Sequence, residues 1–367
     1  MKLLVVMKRF GANKDMVMDN FGRQIRLFEP LAKKHSIDFL CPDYIKKESK
    51  IVVRNGIKFI IRPFSPFSAA WFISYANSLI KEKKYDAVIA ATDPLIGGIM
   101  NILAKKRKKK FVYDLQDNFE SYRTFRMPFV PELHRKAVND ADAVISVSET
   151  LKEYVKKQRE NSVYVIPNGI DRRLFRPIGK VKARKMLNLP LDAKIIVYMG
   201  HLEKLKGFDI MMHAFERVLK KYPDSYLLLS GQVDTNVNIN LRRVIYRRFP
   251  KRNEVVLGIN ASDVAIIPSP RNNFTEYCFP YKLVEYMACG VPIVASDIGD
   301  TSRMLKGYKN SLCIPNDPGD LARKIISKLD KKGGKIDYSN KIRALRWEAL
   351  AAKLDTVISI LDKKGGR

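Results

Sequence analysis

Two charged residues have sequence surroundings that could bind the parts of a phosphorylated ligand. Glu285 lies among apolar residues in FPYKLVEYMACG (279–290), where a carboxylate can accept two hydroxyl groups, as from a ribose. Lys206 precedes Gly207 and a predicted helix, where free backbone N–H groups and the positive end of the helix dipole suit a diphosphate. The alternatives are an exposed helical glutamate and a solvated loop lysine.

A third feature lies in IPNGID (166–171), at the end of a predicted strand. Asn168 and Gly169 form a strong turn signal, because both residue types tolerate turn conformations. A plain turn and a functional hinge both fit this pattern.

The elements around Glu285 follow from the local sequence. Pro280 suits the first turn of a helix, and Gly290 suits the left-handed position that ends one. VPIVAS (291–296) is an unbroken apolar run, typical of a strand buried in a parallel sheet. Glu285 is therefore predicted on a helix that leads into a buried strand.

Strands and helices alternate along the whole chain. The first strand, KLLVVMKRF (2–10), is followed by a loop with Gly11 and Gly22 and then by a helix, as in a Rossmann-like unit. Because the G-x-G-x-x-G pattern is absent, no dinucleotide is specified. The alternation predicts an α/β protein with two Rossmann-like parallel-sheet domains facing a central cleft.

The predicted boundaries place an N-terminal domain at 1–175 and a C-terminal domain at 176–349. A last helix, 350–367, is expected to return to the first domain, and the linker is expected near 170–190. Within the second domain, 241–252 is predicted as a basic helix. The runs 253–258 and 261–269 are predicted as strands, with the usual helix between them trimmed.

The net charge of +30 is shared by both halves of the chain. Residues 1–175 hold 33 Lys and Arg against 19 Asp and Glu, and residues 176–367 hold 35 against 19. An even excess of positive charge indicates a protein that acts on anionic surfaces or anionic substrates. The alternative is that the charge serves only solubility. The four cysteines lack metal or disulfide spacing, and no apolar run approaches a membrane span, so a cytoplasmic location is expected.

Three motifs resemble the retaining glycosyltransferases of the GT-B type, in the large family four group (glycosyl transferases group 1). IPNGIDRRLFRP resembles the family's inter-domain segment, and GHLEKLKGFDIMMHAF resembles its phosphate-binding strand, loop and helix. FPYKLVEYMACGVPIVASDIG resembles its donor-binding signature. The resemblance covers about 150–350 well, and it covers the first half mainly through FVYDLQDNFES and ADAVISVSETL.

The resemblance implies roles for individual residues. Glu285 would hold the ribose hydroxyls and Lys206 the diphosphate, and Gly11 would let the backbone approach the phosphates or the sugar. Catalytic roles are implied for Lys206, Glu276 and Asp117, and a hinge is implied at Asn168 and Gly169. The implied donor-binding residues are Gly11, His201, Lys206, Tyr277, Cys278, Phe279, Pro280, Lys282, Leu283 and Glu285.

The chain departs from the family pattern at three places. The family often has an arginine at the position of His201, and usually a glutamate at the position of Tyr277. Either Glu276 replaces that glutamate, or backbone amides near 277–279 hold the sugar. The family often has a histidine where Gln116 and Asp117 stand.

The resemblance implies transfer of a hexose, with retention, from a UDP- or GDP-linked donor to a glycan or lipid-linked acceptor. It implies no metal and no cofactor, because preorganised positive groups can stabilise the leaving diphosphate. The alternatives are another GT-B enzyme, such as an epimerase or a phosphorylase-like enzyme, and a non-catalytic basic protein that binds nucleic acid. No RNA-binding signature is present, so a nucleic-acid partner is not expected.

Two features of the first half predict a peripheral site on the inner face of the cell membrane. Lys105–Lys110 is a run of six basic residues, followed by Arg123, Arg126 and Arg135. Phe64, Phe67, Trp71 and Phe72 cluster in one segment of the same half. Basic residues attract anionic lipid and aromatic residues insert into the interface. The alternative is that the aromatics pack in the core.

Overall fold

The computed structural model describes residues 1–11, 14–331 and 334–363, which form two units. The first unit consists of Met1–Asn168 and the segment from Trp347 on, and the second consists of Gly169–Arg346. The chain thus changes unit at 168/169 and 346/347, where the sequence had placed the boundaries at 175 and 349. Residues 170–175 belong to the second unit: Ile170 forms a parallel bridge with Arg346, and the Phe175 ring lies under the Arg252 guanidinium.

The first unit is built on an eight-stranded sheet, in the order β10-β9-β8-β7-β1-β4-β6-β5, with a separate hairpin of β2 and β3. All sheet neighbours run parallel except β5 and β6. The strands are β1 (Lys2–Val6), β2 (Phe10–Gly11), β3 (Lys14–Asp15), β4 (Ser36–Asp43), β5 (Lys50–Arg54), β6 (Ile57–Pro63), β7 (Ala87–Ala91), β8 (Lys110–Leu115), β9 (Ala143–Ser146) and β10 (Val163–Val165). Central strand β7, AVIAA, is buried throughout because helices cover both faces of such a sheet.

Five α-helices connect these strands. They are α1 (Arg23–Phe28), α2 (Ala69–Lys83), α3 (Pro94–Lys106), α4 (Val130–Asp140) and α5 (Glu149–Lys156), with short 3-10 helices at Glu29–Lys33, Phe119–Ser121 and Arg123–Arg126. Asp93 and Pro94 show why α3 begins where it does. The Asp93 carboxylate accepts the Leu95 N–H at 2.9 Å, and proline occupies a position that needs no N–H.

The second unit is built on a six-stranded parallel sheet, in the order β13-β12-β11-β14-β15-β16. Its strands are β11 (Ile195–Met199), β12 (Tyr226–Ser230), β13 (Val244–Tyr246), β14 (Val264–Ile267), β15 (Ile293–Ser296) and β16 (Leu312–Cys313). Its helices are α6 (Lys180–Met186), α7 (Phe208–Lys221), α8 (Arg252–Asn260), α9 (Asn273–Tyr277), α10 (Tyr281–Cys289), α11 (Gly299–Leu305), α12 (Pro318–Leu329) and α13 (Ser339–Ile342), with 3-10 helices at Lys204–Lys206 and Arg343–Leu345.

The predicted elements between 241 and 258 are wrong. Val244–Tyr246 is a strand paired with β12, because its β-branched residues favour a sheet and find a free edge there. Residues 252–260 form α8, and Glu254 in its first turn accepts the Lys251 N–H at 3.0 Å. The helix expected to be trimmed is therefore present. Pro280 also precedes α10 as its N-cap, so it does not lie inside the helix.

The last helix, α14 (Trp347–Lys363), packs within the first unit against α1. Asp355 anchors it through an ion pair at 2.9 Å to Lys34 Nζ and a hydrogen bond at 2.7 Å to His35 Nε2. In the part of the chain that the structure describes, no helix is long and apolar enough to span a bilayer.

Candidate functional site

The carboxyl edge of the second sheet, where its parallel strands end, is shaped by close-packed glycines. After β11 the chain passes through Gly200, and the loop ends at Gly207, the N-cap of α7. Gly207 has φ +87°, and a Cβ there would lie 1.8 Å from the Pro268 carbonyl oxygen. A Cβ at Gly231 would lie 1.9 Å from the Gly200 oxygen. Only glycine lets these loops approach so closely.

Two lysines face this glycine loop. The Lys206 ammonium lies 2.7 Å from Glu203 Oε1, and the His201 ring shares that oxygen at 3.2 Å. The Lys282 ammonium lies 3.9 Å from the centroid of the Tyr198 ring and 2.9 Å from the position of a Cβ on Gly200. Burial and the nearby Lys206 charge lower the pKa of Lys282 to about 7. The edge therefore concentrates positive charge beside a glycine loop that leads into the N-terminus of α7.

Glu285 is almost fully buried, with 5% of its surface exposed. It lies in the middle of α10, and its Oε1 accepts a hydrogen bond from Arg252 Nη2 at 2.7 Å. Arg252 stands at the start of α8, and its guanidinium also covers the Phe175 ring at 4.7 Å. The exposed helical glutamate is thus excluded, and the buried carboxylate has a cationic partner that the sequence reasoning missed.

The loop before α10 holds the remaining predicted donor contacts. Glu276 lies on α9, and its Oε2 is 3.0 Å from Arg271 Nη1. Cys278 Sγ donates to the Thr275 oxygen at 3.5 Å. Tyr277, Cys278 and Pro280 are half-buried, so they border the same edge. The side chains of Phe279 and Leu283 pack in the core, which leaves only their backbone for a ligand.

Three of the predicted residues, Gly11, Asp117 and Asn168, belong to the first unit. Gly11 lies in the β2–β3 hairpin, pairs with Lys14, and faces Met16. Asp117 follows β8, and its Oδ2 accepts the Tyr122 hydroxyl at 2.7 Å. Gln116 accepts a hydrogen bond from Gln24. Asn168 is the last residue of the first unit and Gly169 the first of the second, so the predicted hinge coincides with the change of unit.

A cluster at the carboxyl edge of the first sheet was not predicted. Thr92 follows β7 with φ +77°, a conformation that is strained for a β-branched residue. Its hydroxyl oxygen accepts the Lys8 N–H at 2.9 Å, and the Lys8 ammonium forms an ion pair with the fully buried Asp93. The Asp93–Pro94 dipeptide was a readable helix-start signal. Nothing in the sequence indicated the Lys8 contact.

Within residues 1–11, 14–331 and 334–361, no group of three or more His, Cys, Asp and Glu side chains is arranged to hold a metal ion.

Family comparisons match each unit separately. Residues 25–174 match the family model described as Glycosyltransferase Family 4, and residues 193–331 match the model described as Glycosyl transferases group 1. The second match contains the glycine loop, both lysines and Glu285.

Curated relatives match with low identity. The D-inositol 3-phosphate glycosyltransferase of Acidothermus cellulolyticus is 26% identical over 229 residues, which are 55% of this chain and 50% of that protein. Its counterpart in Mycolicibacterium smegmatis is 27% identical over 230 residues, which are 58% and 51% of the two proteins. The chain thus spans about half the length of the curated relatives it matches.

Solved structures match over nearly the whole chain. Sucrose-phosphate synthase from Thermosynechococcus elongatus superimposes with a TM-score of 0.79 at 18% identity, covering 99% of both chains. HepE of Anabaena, solved with UDP-glucose, gives 0.75 at 17% identity and covers 98% of this chain and 99% of its own. At this identity the likeness shows the fold, which is GT-B. With both family models matched, one in each unit, the chain belongs to the family four, group 1 glycosyltransferases.

Proposed function

We propose that this protein transfers a hexose from a nucleotide-diphosphate donor to a hydroxyl group of a glycan or lipid-linked acceptor, with retention of configuration. The observation that carries the proposal is the carboxyl edge of the second sheet. There, Lys206 and Lys282 face the loop that begins at Gly200, and the buried Glu285 lies on the same helix as Lys282. Cations beside the N-terminus of a helix suit a diphosphate, and a buried carboxylate suits a ribose diol.

The chemistry follows from that charge distribution. The bond between the sugar C1 and the donor phosphate oxygen breaks, a bond from C1 to the acceptor oxygen forms on the same face, and the acceptor proton passes to the departing diphosphate. The leaving group gains negative charge during this step. Lys206 and the positive end of the α7 dipole would stabilise it, which is electrostatic catalysis by preorganised groups and needs neither a metal nor a cofactor.

The Arg252 contact leaves Glu285 able to bind a ribose. Arg252 Nη2 donates one hydrogen bond, to Glu285 Oε1. A carboxylate has about four acceptor sites on its two oxygens, so other sites are left for a ligand. The arginine would fix the orientation of the carboxylate while the hydroxyls of the donor bind beside it. HepE of Anabaena, which has the same fold, has been solved with UDP and with UDP-glucose, which supports a donor of this class.

A panel of UDP- and GDP-linked hexoses tests this function. We expect slow hydrolysis of one donor in the absence of acceptor, unchanged by a chelator, and a sugar product with the anomeric configuration of the donor by NMR. Inversion would contradict the retaining mechanism, and loss of activity with the chelator would contradict the metal-free mechanism. If no donor in the panel is bound or hydrolysed, the proposed donor class is wrong.

We further propose that the first unit binds the acceptor, at the carboxyl edge of its sheet. Asp117, Thr92 and the Lys8–Asp93 pair all lie at this edge. Strained and buried polar residues at the ends of parallel strands are typical of ligand sites in such sheets. Carboxylates there would accept the hydroxyl groups of a sugar or of a lipid-linked glycan.

The aromatic cluster and the basic run that were expected to face a membrane together do not form one surface. Phe64 and Phe72 pack in the core, whereas Phe67 is fully exposed and Trp71 is 49% exposed. The basic run Lys105–Lys110 lies at the opposite edge of the sheet. Helix α3 begins just after β7 and ends at Lys106, and its 13 residues span about 20 Å at 1.5 Å per residue. Lys105 and Lys110 are also paired with Asp140 and Asp142.

The revised proposal places a bilayer against the carboxyl edge of the first unit. Phe67 and Trp71 lie between β6 and the first turn of α2, and Met127 and Phe129 lie between β8 and α4, so all four are at that edge and exposed. Arg123 and Arg126 lie beside them and are also exposed. Exposed aromatics with arginines suit an anionic lipid surface, and a lipid-linked acceptor would enter from it.

A further inference from the structure

Lys282 differs from several other partly buried lysines in having no hydrogen-bond or ion-pair partner for its ammonium group among the described residues. It stands in the first turn of α10, and its ammonium group lies over the Tyr198 ring and against the backbone at Gly200. Among the described residues, its ammonium group makes no hydrogen bond and no ion pair. Lys8 has Asp93, Lys206 has Glu203, and Lys328 donates to the Lys309 oxygen and Ser311 Oγ.

An unpaired ammonium group in this position is unfavourable. Moving a charged group out of water costs free energy unless a partner compensates for it. A buried ammonium group without such a partner therefore loses its proton more readily, and its pKa falls. Burial and the charge of Lys206 bring the pKa of Lys282 to about 7, so the neutral amine is populated at neutral pH. The Tyr198 ring offsets only part of the cost by a cation–π contact.

A ligand with two adjacent negative charges would neutralise both ammonium groups, those of Lys206 and Lys282, and remove their repulsion. Lys206 and Lys282 repel one another. Glu203 forms an ion pair with Lys206 alone, although its charge and that of Glu285 also favour the protonated form of Lys282. A diphosphate placed between them would pair with both ammonium groups beside the positive end of the α7 dipole. His201, where the family often has an arginine, turns its ring toward Glu203.

We propose that Lys282 is the second diphosphate-binding cation of the donor site, replacing the arginine expected at position 201, and that it takes up a proton when the donor binds. This inference rests on the proposed function. Its consequence is a pH-dependent affinity. The bound diphosphate favours the protonated amine and so raises its pKa, whereas the unbound protein loses that proton as the pH rises through about 7. Donor affinity must therefore fall as the pH rises above neutrality.

Other ionisable groups close to Lys282 must be separated from its titration. They are Lys206, Cys278, Glu285, Glu203, Tyr198 and His201. Burial raises the pKa of the Tyr198 hydroxyl far above neutrality. His201 is the group whose ordinary pKa lies near the same range, so its substitution is the necessary control.

Calorimetry with UDP-glucose and GDP-mannose tests the inference between about pH 6 and about pH 8.5. The phosphates of these probes are diesters with fixed charge, so proton uptake reports on the protein. For the tighter probe we expect affinity to fall roughly tenfold per pH unit above neutrality, the limit for one linked proton. Measurements in two buffers of different ionisation enthalpy should show net proton uptake on binding, larger at about pH 8 than at about pH 6.

Three variants sharpen the result. Lys282→Met should weaken binding at about pH 6.5 by roughly 10- to 100-fold, as for loss of a hydrogen bond to a charged group, and should abolish both the pH slope and the proton uptake. Lys328→Met, which removes another partly buried lysine from the same unit, should leave affinity and slope unchanged. His201→Gln should keep the slope.

Several outcomes would overturn the inference. If Lys282→Met binds like the unaltered protein with the same slope, Lys282 only packs on Tyr198, although the donor class stands. A flat profile in His201→Gln would assign the titration to the histidine. Absence of proton uptake in the unaltered protein refutes the inference even if Lys282→Met fails to fold. If neither probe binds the unaltered protein at any pH, the proposed function falls and the inference with it.

Discussion

The carboxyl edges of the two sheets use charge in opposite ways. In the first unit three buried or half-buried basic residues near the edge each pair with a buried carboxylate: Lys8 with Asp93, Arg9 with Asp43, and Arg23 with Asp114. In the second unit Lys206 pairs with Glu203, whereas Lys282, with Glu203 and Glu285 nearby, forms no ion pair among the described residues. Two parallel sheets of similar design thus present a neutralised polar edge and an edge with excess positive charge. The first suits hydroxyl groups and the second suits phosphates.

The largest expected effects come from the second edge. Lys206→Ala and Glu285→Gln each should lower kcat/KM by roughly 30- to 150-fold, because loss of a hydrogen bond to a charged group costs about 2–3 kcal/mol. Both donor hydrolysis and sugar transfer should fall, since both need the bound donor. Lys204→Ala is the matched control: Lys204 lies in the same 3-10 helix but is 63% exposed. Near-normal turnover in Lys206→Ala or Glu285→Gln would remove that residue from the donor site.

The glycine loop predicts a large effect on stability. Gly207→Ala should lower the free energy of unfolding by about 2 kcal/mol or more, because φ is +87° and the new Cβ would strike the Pro268 carbonyl. Thermal unfolding of the second unit would show the change. Gly179→Ala should have little effect, since nothing lies within 4 Å of its Cβ position. Equal melting temperatures for the two variants would mean that the loop adapts and does not need glycine at 207.

Asp117 in the first unit should affect transfer alone. Asp117→Asn keeps the size of the side chain but removes the charge that would accept a sugar hydroxyl, so we expect transfer to fall about tenfold, equivalent to about 1.4 kcal/mol. Donor hydrolysis should be unchanged, because the second unit is untouched. Asp142→Asn, at the opposite edge of the same sheet and paired with Lys110, provides the control. A parallel loss of donor hydrolysis in Asp117→Asn would contradict the assignment of the two edges.

How much of this could be predicted from sequence differs between the two edges. The α10 motif, the loop from Gly200 to Gly207 and the repeated alternation were readable because local patterns specify them. The Arg252–Glu285 pair was not, since residues 241–258 were assigned to the wrong elements and Arg252 therefore had no predicted place. The Lys8–Asp93 pair joins residues far apart in the chain, and only the parallel pairing of β1 with β7 brings their ends together.

The segment from 241 to 258 shows why the wrong elements were predicted. Val244 and Ile245 stand between arginines, so the run has an amphipathic helical pattern, yet the free edge of β12 offers them a partner. α8 in turn contains Gly258, which the sequence alone marks as a poor helix residue. In the structure, a Cβ there would lie 2.5 Å from the Met199 methyl group, so glycine allows α8 to pack closely on β11. Tertiary packing outweighed local propensity at both places.

The smallest expected effect concerns the exposed aromatics at the edge of the first unit. The double variant Phe67→Ser with Trp71→Ser should reduce co-sedimentation with anionic vesicles about fivefold, equivalent to about 1 kcal/mol of interfacial burial. Arg123→Gln with Arg126→Gln should weaken binding chiefly at low salt, because screening already removes part of their attraction at higher salt. Ile51→Ser with Val53→Ser is the matched control, since both residues are exposed and apolar but lie on edge strand β5. An equal loss in that control would show non-specific adsorption. If the unaltered protein does not bind anionic vesicles at low salt, the acceptor is reached without a bilayer, and the aromatic edge has another use.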